Sequence, residues 1–234
     1  MNNKKLVSLE KIEKRYGSSF NQVDALRDIT LSLFRGDFVA LIGPPGSGKS
    51  SLMNIIGMLE KPDSGKLHIS GLETNLLGKA EARKVRCKTF GYLYPQLKLV
   101  EYFNVRENVK LGVEYRNNEL ENIEEAVLNA LQLLDLSHKA NEYPENLSLY
   151  ECQRVSLAQA IVSGPDVLLA DNPGEHLDSL HGQELMLCFK ELNALGMTIL
   201  FSTHNTKMAE SACRAITLID GRIVSDQINQ GFVV

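Results

Sequence analysis

Long apolar runs are missing from this sequence. Its most hydrophobic stretches, such as Val167 to Ala170 and Met197 to Phe201, fall far short of the roughly 18 residues that a membrane-crossing helix requires. Any role at a membrane is therefore expected through a partner. The opening Met1 to Lys5 runs into Leu6-Val7-Ser8-Leu9-Glu10, which lacks the extended apolar core of a secretion signal, so no export is expected. The four cysteines, Cys87, Cys152, Cys188 and Cys213, form no C-x-x-C pair and have no nearby histidine pair, which argues against a zinc module and fits reduced thiols in the cytoplasm. Charge of one sign is also lacking: 25 Lys plus Arg stand against 29 Asp plus Glu, a formal net charge of −4 that gives no bulk drive toward nucleic acid or anionic lipid, although a local basic patch stays open. No repeat and no low-complexity tract is visible, which argues against a solenoid or a tail.

What is present is enough for a core. Apolar residues make up 44% and charged residues 23% of 234 residues, the balance of a chain that folds alone as one large domain or one domain with an inserted lobe. Leu6 to Ile12 reads as a strand, and Ile29, Leu31 and Leu33 alternate with Thr30, Ser32 and Phe34 as a half-buried sheet edge. Phe38 to Ile42 is a continuous apolar run of the kind buried on both faces of a parallel sheet. A glycine-rich turn follows, then a helix over Ser51 to Leu59 with Leu52, Ile55, Ile56 and Leu59 on one face. Buried-strand runs recur at Asp166 to Ala170, Thr198 to Ser202 and Ala215 to Ile219, and Asp220-Gly221 marks a hairpin turn. Between about Lys88 and Val162 helical periodicity dominates, through Ile123, Val127, Ala130, Leu131 and Leu134, so an inserted helical lobe is expected there.

The strongest chemical signal is Gly43-Pro44-Pro45-Gly46-Ser47-Gly48-Lys49-Ser50, a complete G-x-x-x-x-G-K-[ST] between a buried strand and a helix. Its glycines let successive N–H groups face phosphate oxygens, and the helix start adds partial positive charge. Lys49 supplies a point charge to the outer phosphates and Ser50 a hydroxyl to Mg²⁺. Asp171, closing the run Val167-Leu168-Leu169-Ala170, is the carboxylate expected to hold that metal through water or Ser50. Ser202-Thr203-His204 ends the next strand, and neighbouring strand ends in an open α/β sheet face one crevice.

With these residues the chain resembles the ATP-binding subunit of an ATP-binding cassette transporter, over nearly its whole length. Tyr16-Gly17, the phosphate loop, Leu147-Ser148 followed by Gln153-Arg154-Val155, Leu168 to Asp171, Leu177-Asp178 and His204 carry the resemblance. Val23-Asp24-Ala25-Leu26 and Ser50 to Gly57 are most similar to the branch serving lipoprotein release and macrolide-type export. The resemblance implies an α/β fold of the P-loop NTPase type: a RecA-like core at about 1–88 and 163–234 with an N-terminal antiparallel β subdomain, and a helical subdomain at about 89–162, together one domain over 1–234. It implies Tyr16 against adenine, and Gly43, Gly46, Ser47, Gly48, Lys49, Ser50 and Ser51 around the phosphates. Ser148 would touch the nucleotide of a partner cassette across a dimer, and Asp178 belongs to the same implied set of nucleotide-binding residues. ATP and Mg²⁺, a transmembrane permease, and a homodimer or a heterodimer with a second cassette are the implied cofactors and partners, with no nucleic acid. The implied location is the cytoplasm, against the inner face of the plasma membrane.

Four departures from the family pattern concern catalysis. The family's strand-ending Asp-Glu is Asp171-Asn172 here, and Asn172 cannot take a proton from the attacking water, a loss of roughly 10²–10⁴ in rate. Leu-Ser-Gly-Gly-Gln or Leu-Ser-Gly-Gly-Glu becomes Leu147-Ser148-Leu149-Tyr150-Glu151, where two large side chains oppose close approach of backbone to phosphate. Pro95 takes the place of the Q-loop glutamine, and Gln96 serves as a magnesium contact only if that loop slips by one residue. Gly174-Glu175-His176 alters the segment before Leu177-Asp178, and Glu175 reads first as a solvated loop acid, with a replacement base as the lesser alternative. The expectation is an ATP-gated subunit with weak or lost hydrolysis. The alternatives are a competent ATPase energising export or lipoprotein release, and an ATP-gated regulatory module outside transport; a soluble cassette of translation or DNA repair fits the length and net acidity less well. Tyr94, Leu97, Leu99, Val100, Tyr102 and Phe103 form an aromatic and apolar cluster that serves either as core or as the permease contact.

Overall fold

The computed structural model describes residues 4–18, 21–113, 122–175 and 177–229. Two sheets organise them. A four-stranded antiparallel sheet has the order β2-β1-β4-β5, built from β1 (Lys5–Tyr16), β2 (Val23–Phe34), β4 (Ser64–Ile69) and β5 (Leu72–Glu73). The strand expected at Leu6 to Ile12 thus runs on to Tyr16; breaks in its register and the left-handed backbone of Lys11 (φ 51) interrupt the alternation that would have marked its second half.

The second sheet has six strands in the order β10-β9-β3-β8-β7-β6: β10 (Arg222–Ile228), β9 (Arg214–Ile219), β3 (Phe38–Ile42), β8 (Thr198–Thr203), β7 (Val167–Ala170) and β6 (Phe90–Leu93). All neighbours are parallel except β9 and β10, joined by the expected turn at Asp220-Gly221. Strand alternation explains the continuous apolar runs. Phe38, Ala40, Leu168, Ala170, Ile199 and Phe201 point into one core, while Val39, Leu41, Val167, Leu169 and Leu200 point into another. Each strand is therefore buried on both faces.

Helix α1 (Lys49–Ile56) packs Leu52, Met53, Ile55 and Ile56 into the core shared with the antiparallel sheet. It ends earlier than its periodicity suggests: the Tyr92 hydroxyl bonds the Gly57 carbonyl, Met58 turns left-handed (φ 58), and Leu59 stands 41% exposed. Helix α2 (Lys79–Thr89) leads into β6, a strand lying within the stretch whose periodicity reads as helical. Between β6 and β7 come α3 (Val105–Lys110), α4 (Ile123–Leu133) and α5 (Leu149–Ile161), which bury Val105, Val109, Val127, Leu131 and Val155 together on the opposite side of the sheet. Helices α6 (Ser179–Ala194) and α7 (Thr206–Ala209) complete that layer.

Candidate functional site

The sheet order places the C-terminal ends of β3, β8, β7 and β6 side by side, and each end carries a segment singled out by the sequence: Gly43 to Lys49, Thr203-His204, Asp171-Asn172 and Tyr94-Pro95-Gln96. Gly48 shows why the phosphate loop needs its glycines. Its φ is 103, and a Cβ there would stand 2.4 Å from the Ala25 carbonyl oxygen.

No side chain caps α1, so the N–H groups of its first turn have no side-chain acceptor. Two further observations fit a cradle for an anion. The Ser47 hydroxyl is buried without a hydrogen-bond partner, a state that costs about 1–3 kcal/mol unless a ligand satisfies it. The Lys49 ammonium folds back onto the carbonyl oxygens of Gly43 (2.8 Å) and Pro44 (2.9 Å). Burial lowers the Lys49 pKa, and the charge of Asp171 opposes that shift.

An open cleft of about 490 Å³ extends from this loop, lined by Tyr16, Val23, Gly46, Lys49, Ser51 and Gly221 among others. Ser50 also lines it. Tyr16 forms its rim, 39% exposed, with its hydroxyl donating to Glu60 at 2.6 Å. Burial is the main reason its pKa is raised, followed by the bond to Glu60. Asp220 and Gly221 are cleft residues that belong to no nucleotide motif; their only sequence signal is that of a hairpin turn. Gly221 donates its N–H to the Ser47 carbonyl at 3.0 Å and accepts the N–H of Arg27 at 2.8 Å, which ties the phosphate loop to β2.

Asp171 lies just past β7. Its N–H donates to the Leu93 carbonyl of β6 at 2.9 Å, and its Oδ1 accepts the Ser202 hydroxyl at 2.5 Å. Asn172 is left-handed (φ 46) and donates its N–H to the same Ser202 oxygen at 2.9 Å. In the sequence Ser202 is marked only as part of a strand end. The side chain of His204 is exposed just beyond β8, and Gln96 lies on the connection after β6, where the Tyr94 ring stacks on Tyr92 at 5.9 Å.

Ser148 and Asp178 do not line the cleft beside Lys49. Ser148 caps α5: its hydroxyl accepts the Glu151 N–H at 3.2 Å, while Glu151 accepts the Ser148 N–H at 2.8 Å. Asp178 caps α6, accepting the His181 N–H at 2.9 Å and meeting Nδ1 of the same ring at 2.9 Å. Leu149 is 48% exposed beside Ser148. The Glu175 side chain is exposed, and its N–H donates to the Asn172 carbonyl at 3.1 Å; His176 lies outside the described residues. Among the described residues no group of three or more His, Cys, Asp or Glu side chains gathers as a self-contained metal site, and no helix is long and apolar enough to cross a membrane.

The chain is similar to known proteins. A family profile described as "ABC transporter" matches residues 26–175. The macrolide export ATP-binding/permease protein MacB of Burkholderia pseudomallei is 38% identical over 224 residues, which is 96% of this chain and 34% of that protein. Its namesake from Pasteurella multocida is 35% identical over 226 residues, covering 97% of this chain and 35% of that protein. The chain thus spans about a third of the length of these curated relatives. Among solved structures, the dimeric structure of MJ0796, a bacterial ABC transporter cassette, superposes with a TM-score of 0.87 at 34% identity, covering 97% of this chain and all of that one. A dimeric post-hydrolysis state of the same cassette, bound to ADP and Pi, gives 0.87 at 33% identity with the same coverage.

Proposed function

The chain belongs to the ABC transporter family, and from this premise we propose that it is the ATP-binding subunit of a membrane transport complex, in which MgATP drives dimerisation and coupling to a permease while hydrolysis is weak or lost. The observation that carries this reading is the uncapped start of α1 beside the partnerless Ser47 hydroxyl and the Lys49 ammonium. These groups suit the phosphates of a nucleotide, and the cleft beyond them, rimmed by Tyr16, suits its base. The Ser50 hydroxyl and the Asp171 carboxylate would hold magnesium, with phosphate and water oxygens completing its shell. Magnesium, when bound, would neutralise charge on the outer phosphates.

Turnover is the part the chain's own residues oppose. The Asn172 amide orients a water by hydrogen bonding but takes no proton from it near neutral pH. Glu175, the nearest acid in sequence beyond Asp171, is exposed to solvent. In a dimer, Leu149 and Tyr150 would stand where backbone has to approach a partner's phosphate, and Ser148 is already engaged as a cap. Dimerisation is supported by the dimeric state of the MJ0796 cassette, and a permease partner by the ATP-binding/permease names of the longer relatives. Tyr94, Leu97, Tyr102 and neighbours supply a surface for that permease, and location at the inner face of the membrane follows from it. The domain limits, with a core at about 1–88 and 163–234 around a helical subdomain, belong to the same proposal.

The test pairs calorimetric titration of MgATP with steady-state phosphate release, for the wild type and Asn172→Glu. Binding with negligible release supports the reading. Brisk release by the wild type would show a competent ATPase, and absence of binding heat would remove the nucleotide itself.

A further inference from the structure

We propose that Ser202 is a positioning residue for the magnesium-dependent part of nucleotide binding: one buried hydroxyl on β8 fixes both the Asp171 carboxylate and the Asn172 backbone. The inference rests on the MgATP reading above and concerns a residue outside the motif positions that carry the family resemblance.

Strand register brings these groups together. β7 and β8 are parallel, with Ala170 opposite Phe201, so Asp171 and Ser202 are the next facing pair. Ala170 and Phe201 point into the core on the side of α3 to α6; by alternation Asp171 and Ser202 turn to the other face, where α1 packs. That face carries Lys49 and Ser50 at the start of α1.

The hydrogen-bond directions are fixed by valence. Asn172 N–H can only donate, so the Ser202 oxygen accepts it, and the single hydroxyl hydrogen goes to Asp171 Oδ1. Ser202 is 0% exposed, so both bonds are shielded from bulk solvent. One carboxylate oxygen of Asp171 is therefore tied to the neighbouring strand, while the other is free of that hydroxyl. The same tie supports the left-handed turn at Asn172, whose carbonyl accepts the Glu175 N–H. Without the hydroxyl, the carboxylate gains rotational freedom and the Asn172 N–H loses its acceptor.

A purely structural serine would affect nucleotide binding equally with and without the metal. A positioning serine changes only the metal-linked part. The experiment measures ATP affinity calorimetrically in MgCl₂ and in EDTA, and takes the ratio. Ser202→Ala should reduce that ratio roughly tenfold, the loss of one hydrogen bond to a charged group, and leave the EDTA affinity unchanged. Ser202→Thr, which restores a hydroxyl, should restore the ratio. In an Asp171→Asn background, Ser202→Ala should leave the ratio unchanged. Should Ser202→Ala fail to fold, Ser202→Cys, with its weaker donor, should shift the ratio in the same direction.

A wild-type ratio in Ser202→Ala, an equal loss of affinity in both conditions, or a full effect without the Asp171 carboxylate would each overturn the assignment. Wild-type protein that binds no ATP in either condition would instead remove the nucleotide reading on which the assignment stands.

Discussion

Tyr150 packs its ring against His181, with centroids 4.7 Å apart and planes inclined at 34°, and His181 is itself bonded to Asp178. The first turns of α5 and α6 are thereby joined through two side chains. Arg154 lies over the same tyrosine ring at 5.4 Å. Burial, chiefly, pushes the Tyr150 pKa up to about 12, so the phenol stays neutral through the physiological range.

Replacing Tyr150 with glycine removes this packing and adds backbone freedom to a helix turn. The two effects together should cost about 2 kcal/mol and lower Tm by about 5 °C. The same change opens the backbone beside Ser148, so self-association in MgATP, measured by light scattering, should increase despite the lower stability. A gain in Tm would contradict the packing role.

Asn172 has a φ of 46, in the region that asparagine and glycine occupy at low cost and other residues do not. Asn172→Glu should therefore lower the Tm of the nucleotide-free protein by about 3 °C, corresponding to about 1 kcal/mol, while Asn172→Gly should not. Calorimetric scans of the three proteins compare them directly. Equal stability for all three would mean that this backbone relaxes without strain.

The Glu151 pKa is lowered, first by the Ser148 N–H that its carboxylate accepts. A depressed folded value means stability that is fully present above the ordinary 4.5 and is lost as pH falls through the folded value. Glu151→Ala should cost about 1 kcal/mol at pH 7. Its deficit relative to the wild type should shrink on acidification below the carboxylate range, as read by urea midpoints. A pH-independent deficit would assign the loss to packing.

Tyr102 is 79% exposed, whereas Leu99 packs against the core. Tyr102→Asp should weaken permease capture with little change in Tm. Leu99→Asp should lower Tm on its own account, by burying a charge, and is a poor probe of the interface. Permease retained by Tyr102→Asp at wild-type level would move the contact elsewhere.

The phosphate loop, the parallel strands and Asp171 are legible in the sequence because each depends on local pattern: a fixed spacing, an apolar run, a carboxylate at its end. β6 is not, since Phe90 to Leu93 is short, contains Gly91 and follows the helical residues of α2 directly. The end of α1 is hidden because it depends on Tyr92, a residue 35 positions from Gly57. Ser202 is silent for a similar reason. Nothing in Phe201-Ser202-Thr203 announces a partner on β7; the bond exists only once the strands are paired. Tyr150 is legible as an obstruction, but its contact with His181 requires α5 and α6 to meet.

Gly221 has no room for a side chain: a Cβ would sit 2.7 Å from the Ala25 carbonyl oxygen. Its peptide holds Ser47 on one side and Arg27 on the other, and β2 continues through Val23 to its pairing with Tyr16. The wall and the floor of the cleft are riveted to each other, so their spacing acts as a fixed gauge. On the nucleotide reading proposed above, a ligand whose ring and phosphates are separated by a different length would have to give up one anchorage to keep the other.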